Sequence, residues 1–227
     1  MSDSIFATTV NKYFEQWKFI PWLSDTWMES TSQRNHRGRK KVAELVKKNS
    51  KSILDVGCGI GLDYEYYKDS DVQYLGVDIT KRFLEECQKR GVPAQHGDVL
   101  DLEFDENSFD TVYCKDLLLH LPVGYWRQAL AEMTRVAGKQ VITLEPEWVD
   151  ETVYTLREKH SVLDPSTKQP TTLLFFHNVY SQREIVMFAA ANQLTVSWWR
   201  GKDVERSAWT REASYWQVTL FTKNGGE

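Results

Sequence analysis

The sequence predicts a three-layer α/β sandwich: a mostly parallel seven-stranded sheet, helices on both faces, and an antiparallel last strand. Three observations carry this. Short apolar runs alternate with longer amphipathic segments through the middle of the chain, the texture of right-handed βαβ units. The first run, residues 52–56, ends in a glycine-rich turn. Near the C-terminus the alternation stops, and two strand-like runs, 194–200 and 215–222, follow each other with no helical periodicity between them, as a hairpin requires.

Each element has its own signal. Residues 3–19 place Ile5, Phe6, Val10, Tyr13, Phe14 and Trp17 at helical spacing, and Pro21 breaks the pattern. Residues 36–48 set Val42, Leu45 and Val46 on one side and basic residues on the other. Residues 52–56 form an apolar run of buried-strand length. Residues 61–68 then read as a helix, 72–77 as a strand, 81–90 as a helix and 92–96 as a weak third strand. A fourth strand is expected at 109–114, an amphipathic helix at 122–136 and a fifth strand at 139–144. The last helix is expected at 182–192, opened by a capping box of Ser181 and Glu184. Residues 147–180 make a connection far longer than the ~2–6 residues usual between strand and helix, so an insertion or lid is expected there.

Composition narrows the function classes. The chain has 227 residues, 26% charged and 41% hydrophobic, close to globular averages. Aromatics reach 13%, including nine tryptophans, more than a core of this size needs. Residues 34–51 carry about +7 within a chain of net charge −4, so a phosphate-binding face has to be weighed against a plain solvated helix. Cys58, Cys87 and Cys114 form no metal-spaced cluster and are expected to be free thiols, with no metal site. The N-terminal residues lack the pattern of a secretory signal, and no apolar run is long enough to span a bilayer, which together suggest a cytoplasmic protein without membrane association.

The first βα turn reads Asp55-Val56-Gly57-Cys58-Gly59-Ile60-Gly61. Its glycines allow a sharp turn and close approach of a ligand to the backbone. The spacing differs from a dinucleotide fingerprint, and a P-loop would need the missing Gly-Lys-Ser/Thr. With the preceding Ile53 and Leu54, the turn resembles the first motif of the class I S-adenosylmethionine-dependent methyltransferases. Further stations are similar in order: Asp78-Ile79 at the end of the second strand, Gly97-Asp98-Val99 after the third, and residues 108–122 around the fourth. The resemblance spans residues 51–145 and implies a Rossmann-like fold with S-adenosyl-L-methionine as cofactor and S-adenosyl-L-homocysteine as product. It implies that Asp78 accepts from the ribose hydroxyls, that Asp98 and the Val99 backbone meet the adenine, and that Asp55, Gly57, Cys58, Gly59, Gly61, Ile79, Lys115 and Asp116 line the rest. Arg37, with Arg34 as an equal alternative, is a candidate partner for the cofactor carboxylate, a task suited to a guanidinium.

The resemblance also implies in-line methyl transfer driven by proximity and alignment, with a base needed only for an acceptor that keeps its proton. His177, His120 and Glu145 are the candidate catalytic residues. A small-molecule acceptor, methylated on oxygen or nitrogen, is the first reading. The alternatives are RNA, disfavoured by the acidic net charge, a protein substrate, or a catalytically silent binding protein. The acceptor should lie under segments without family texture. Trp22 and Trp27, just past the N-terminal helix, and Trp148 and Tyr180 in the insertion are the candidate substrate-binding residues, since an aromatic wall suits apolar or cationic ligands. Trp126, Trp198 and Trp216 fall on patterned elements and are expected in the core. The whole chain is expected to form one domain, with residues 1–36 as an aromatic cap, 51–145 as the cofactor core, 147–180 as the lid and 181–227 as the closing helix and strands. A monomer or homodimer is expected.

Overall fold

The computed structural model describes residues 10–16, 36–163, 170–203 and 214–224. Helix α1 covers 10–16. It is followed by α2 (His36–Asn49), β1 (Ser52–Val56), β2 (Gln73–Asp78), α3 (Lys81–Lys89), β3 (Ala94–His96), β4 (Phe109–Lys115), α4 (Tyr125–Val136) and β5 (Ala137–Pro146). Strands β6 (Leu156–Leu163) and β7 (Pro170–Phe176), helix α5 (Gln182–Ala191), and strands β8 (Leu194–Asp203) and β9 (Ser214–Lys223) complete it.

Seven strands form one sheet in the order β3-β2-β1-β4-β5-β9-β8. All neighbours from β3 to β5 pair in parallel, and β9 runs antiparallel to both β5 and β8. The chain winds outward from β1 to β3 and then returns to place β4 on the other side of β1. That reversal opens a crevice beyond the carboxyl ends of β1 and β4, where open α/β sheets bind ligands.

Each face of the sheet buries its own core. One side packs Leu54, Val56, Val112, Cys114 and Phe221 against Trp126, Leu130 and Met133 of α4 and Ile185 and Phe188 of α5. The other packs Ile53, Tyr113, Ile142 and Val218 against Val42 and Val46 of α2. The alternation of Ile53 and Leu54 between two cores is the pleat of a strand buried on both faces.

Three local expectations change. Residues 61–68 form only a short 3-10 helix, Leu62–Tyr66. Its tyrosines are drawn onto the sheet, with Tyr64 and Tyr67 5.2 and 5.8 Å from the Tyr74 ring, and the turn ends in the polar run after Lys68. Trp126 and Trp216 are buried, but Trp198 is 36% exposed, because β8 is an edge strand; Trp148 leans on it at 5.6 Å. The segment after β5 carries its own two-stranded antiparallel sheet, β6–β7. Isolated bridges Val149–Ser181 and Val153–Val179 tie its base to the start of α5.

The capping box is half formed. Ser181 Oγ accepts from the Glu184 N–H at 3.2 Å, whereas the Ser181 N–H donates to Thr152 Oγ1 at 2.8 Å. Glu184 instead takes up the Thr152 hydroxyl and Arg127. The base of the β6–β7 segment and the start of α5 are thereby joined. Among the described residues, no helix is long and apolar enough to cross a membrane.

Candidate active site

The glycine turn lies at the reversal of the sheet. Gly59 has φ +57, and a Cβ built on it would meet nothing within 4 Å, so the turn presents bare backbone to open space. Gly61 has φ +71, and a Cβ there would stand 2.5 Å from Val92. One glycine therefore serves approach from outside and the other serves packing from inside. The N–H groups of Gly57 and Cys58 both donate to the Val77 carbonyl, at 2.8 and 3.0 Å, which binds the turn to the end of β2.

Asp78, the last residue of β2, accepts from the Gly59 N–H at 2.9 Å through Oδ2 and from the Thr80 N–H at 2.8 Å through Oδ1. Burial pushes its carboxyl upward against these backbone bonds. Two N–H bonds leave a carboxylate with acceptor capacity on each oxygen. Ile79 is half-buried beside it. After β3, Asp98 folds back to accept from the Leu100 N–H at 2.9 Å, and Val99 is buried.

Beneath the turn lies a buried polar cluster. Asp55 accepts from the Tyr74 hydroxyl at 2.7 Å. Burial and the neighbouring Asp63 push its carboxyl up to about 8. Asp63, in the 3-10 helix, takes the Arg39 guanidinium at 2.5 Å, and Arg39 also stacks over Tyr66 at 5.5 Å. The expected guanidinium is displaced: Arg37 is exposed, Arg34 lies outside the described residues, and Arg39 is the buried one. Helical periodicity explains the change, since Arg39 shares the inward face with Val42 and Val46. Cys58 and Cys87 both direct their thiols to the Gly59 carbonyl, at 3.7 and 3.3 Å.

Opposite the turn, β4 ends in Lys115 and the loop after it carries Asp116 and His120. Lys115 pairs with Asp116 at 2.7 Å, and Asp116 adopts φ +48. His120 closes the short 3-10 helix Leu118–His120. Its Nδ1 donates to the Phe176 carbonyl at 2.9 Å, since a carbonyl only accepts, and this leaves Nε2 unprotonated in the neutral ring. The His177 ring stands edge-on, 6.3 Å away between centroids.

Three of the expected residues face inward instead. Glu145 is 4% exposed, and its carboxylate accepts the N–H groups of Leu117, Leu118 and Leu119. Tyr180 is also 4% exposed; it donates to the Leu118 carbonyl at 2.6 Å and packs on Trp126 at 5.2 Å, so its hydroxyl is committed to the fold. Trp148 is buried in the same core. Trp22 and Trp27 lie outside the described residues.

Helix α1 covers the post-β4 loop. The Tyr13 hydroxyl donates to the His120 carbonyl, and its ring lies 4.8 Å from Phe176. Phe14 meets Tyr125 at 5.4 Å. Gln16 bonds both backbone groups of Leu174. Asn178, fully buried, donates to the Leu121 carbonyl at 2.7 Å and accepts from the Thr155 N–H at 3.2 Å. Helix α1, the residues between β7 and α5, and the post-β4 loop therefore meet around the two imidazoles. Sequence reasoning missed Arg39, Asp63, Tyr13, Gln16 and Asn178. The helical phase of α2 was a signal for Arg39; the others depend on contacts between distant segments.

Residues 53–140 match a family described as Methyltransferase domain. Among curated proteins, phosphoethanolamine N-methyltransferase 1 of Triticum aestivum is 33% identical over 87 residues, 35% of this chain and 18% of that protein. An uncharacterised protein of Methanocaldococcus jannaschii is 34% identical over 114 residues, 46% of this chain and 47% of its own length. The chain thus spans less than half the length of these relatives. Among solved structures, the 1,6-didemethyltoxoflavin-N1-methyltransferase of Burkholderia thailandensis, with bound 1,6-didemethyltoxoflavin and S-adenosylhomocysteine, superposes with a TM-score of 0.61 at 13% identity, covering 98% of this chain and 89% of that one. Residues 53–140 thus resemble a methyltransferase domain, and the sheet order is shared with a solved methyltransferase fold.

Proposed function

We propose that the protein transfers the methyl group of S-adenosyl-L-methionine to an oxygen or nitrogen of a small-molecule acceptor. The observation that carries this reading is the pairing of Asp78 with the open glycine turn, because it joins a bare backbone to an acceptor carboxylate at the sheet reversal. The residues fit the cofactor. Asp78 suits the ribose hydroxyls, Asp98 and Val99 the adenine, and the Gly57–Gly61 turn the close approach of the methionine chain. The buried Arg39–Asp63 ion pair, with Asp55 beside it, supports the turn from beneath at the cofactor's amino-acid end. Lys115 and Asp116 border the same end from β4.

The bound cofactor supplies an activated methyl and a neutral thioether leaving group. The protein has to bring the acceptor into line and keep water out. The junction of α1, the segment before α5 and the post-β4 loop stands where it can serve that task. His120 and His177 stand together at this junction, where an imidazole suits the orientation of a hydroxyl or amine acceptor. Two of the similar proteins are named for small acceptors, phosphoethanolamine and 1,6-didemethyltoxoflavin, which supports a small acceptor here. Whole-chain unity and the cap and lid roles of 1–36 and 147–180 belong to the same proposal.

The test is to incubate the protein with methyl-labelled cofactor and fractionated cell extract. Label in the small-molecule fraction, lost in Asp78→Ala, is the expected result. Label in RNA or protein would replace the acceptor assignment. No label in any fraction would contradict transfer.

A further inference from the structure

We infer that Glu145 is a positioning residue: by accepting the N–H groups of Leu117, Leu118 and Leu119 it sets the place and tautomer of His120, and it moves no proton itself. The inference rests on the reading of this loop as part of a methyl-transfer site. The loop has an awkward path. Asp116 turns through φ +48, and the 3-10 helix Leu118–His120 begins two residues later. The first N–H groups of such a turn have no backbone acceptor. Here they converge on one side chain from the neighbouring strand. Oε1 of Glu145 lies 3.0 Å from the nitrogens of both Leu117 and Leu118, and Oε2 lies 3.3 Å from that of Leu119.

His120 is the next residue. Its own N–H closes on the Leu117 carbonyl at 3.0 Å, so the imidazole hangs directly from the segment that Glu145 holds. The ring then meets the Phe176 carbonyl at 2.9 Å, the contact that decides which nitrogen carries the proton. Hydrogen bonds fail within a few tenths of an ångström, so a small displacement of Leu117–Leu119 breaks this contact and releases the tautomer. Phe176 is the last residue of β7, across the junction from the post-β4 loop. Glu145 therefore sets the register between the post-β4 loop and the lid without touching either a ligand or the imidazole.

Burial gives an independent reason against proton transfer. Glu145 is almost fully enclosed, and besides the three N–H groups it meets the Cys114 thiol at 3.9 Å. A general base has to reach the proton it removes. The task of Glu145 needs an acceptor oxygen rather than a charge, since Oε1 accepts from Leu117 and Leu118 whether the carboxyl is ionised or neutral. A glutamine retains that oxygen and with it the bonds from Leu117 and Leu118, losing only the longer one from Leu119; an alanine loses all three.

The experiment uses the full chain labelled with 15N-histidine, and long-range proton–nitrogen spectra read each imidazole tautomer, with His120→Gln assigning the signal. The wild type should show His120 protonated on Nδ1. Glu145→Gln should retain that tautomer, and Glu145→Ala should lose it or mix it while its affinity for S-adenosylhomocysteine stays within about threefold. An unchanged tautomer in Glu145→Ala overturns the inference, and so does equal loss in both variants. If Glu145→Ala does not fold, hydrogen exchange in the wild type decides. Slow exchange of the Leu117, Leu118 and Leu119 amides supports the role, and exchange at the rate of an unprotected peptide overturns it. Failure of the wild type to bind S-adenosylhomocysteine would count against the methyl-transfer reading, whatever the tautomer shows.

Discussion

The two sides of the cleft are built on different principles. The floor, from β1 to β3, is assembled from groups close in sequence and held by backbone: Gly57 and Cys58 on the Val77 carbonyl, Gly59 on Asp78, and Leu100 on Asp98. The roof is assembled from distant segments held by side chains. Tyr13 reaches His120, Gln16 reaches Leu174, and Glu145 reaches Leu117–Leu119. A floor of this kind suits a ligand of constant shape. A roof of this kind can change with the acceptor while the floor stays the same.

The largest expected effect breaks the floor alone. Arg39→Ala leaves Asp63 buried without its guanidinium, and removing one partner of a buried pair costs about 3–5 kcal/mol. Chemical denaturation should show that loss. A loss near zero would mean that the pair is held in solvent and that the cluster under the turn is not a structural base.

A second effect is read in pH. The folded carboxyl of Asp55 is pushed up to about 8 from an ordinary value of 3.8, so the folded state holds a proton that the unfolded state has released. Stability from this group is complete below the unfolded value and is lost as pH rises through the folded one. Asp55→Asn should therefore gain melting temperature relative to wild type as pH rises from about 4 to 8. A pH-independent difference would show that Asp55 is already ionised in the fold.

The smallest effect belongs to the roof. Gln16→Ala removes two bonds to the Leu174 backbone, worth about 1–2 kcal/mol together. Limited proteolysis should find the α1 junction cut faster, while S-adenosylhomocysteine binding is unchanged. Equal loss of cofactor affinity would erase the distinction between floor and roof.

The same contrast explains what could be read from the sequence. The strands and their parallel order follow from apolar runs, glycines and acids at strand ends, all local signals. The 3-10 helix after the turn did not, because Tyr64 and Tyr67 are drawn onto Tyr74 by packing that periodicity does not encode. Arg37 and Arg34 are the candidates that distance from the turn suggests, but distance says nothing about helical phase, and it is Arg39 that faces inward. Glu145 and Tyr180 stand at the edge where ligands bind, yet both turn inward to satisfy backbone groups of one loop. Position along a strand reveals which residues are near a cleft; the backbone groups left over nearby decide which of them face it. Trp198 shows the converse: strand periodicity marked it as core, but its strand ends at an edge.

Calorimetry with S-adenosylhomocysteine tests the central claim, that the glycine turn and Asp78 form one cofactor cradle. The wild type should bind, and Asp78→Ala should bind more weakly by about 1.5–3 kcal/mol, the scale of hydrogen bonds to a charged group. Absence of binding by the wild type, or equal affinity in Asp78→Ala, would contradict it.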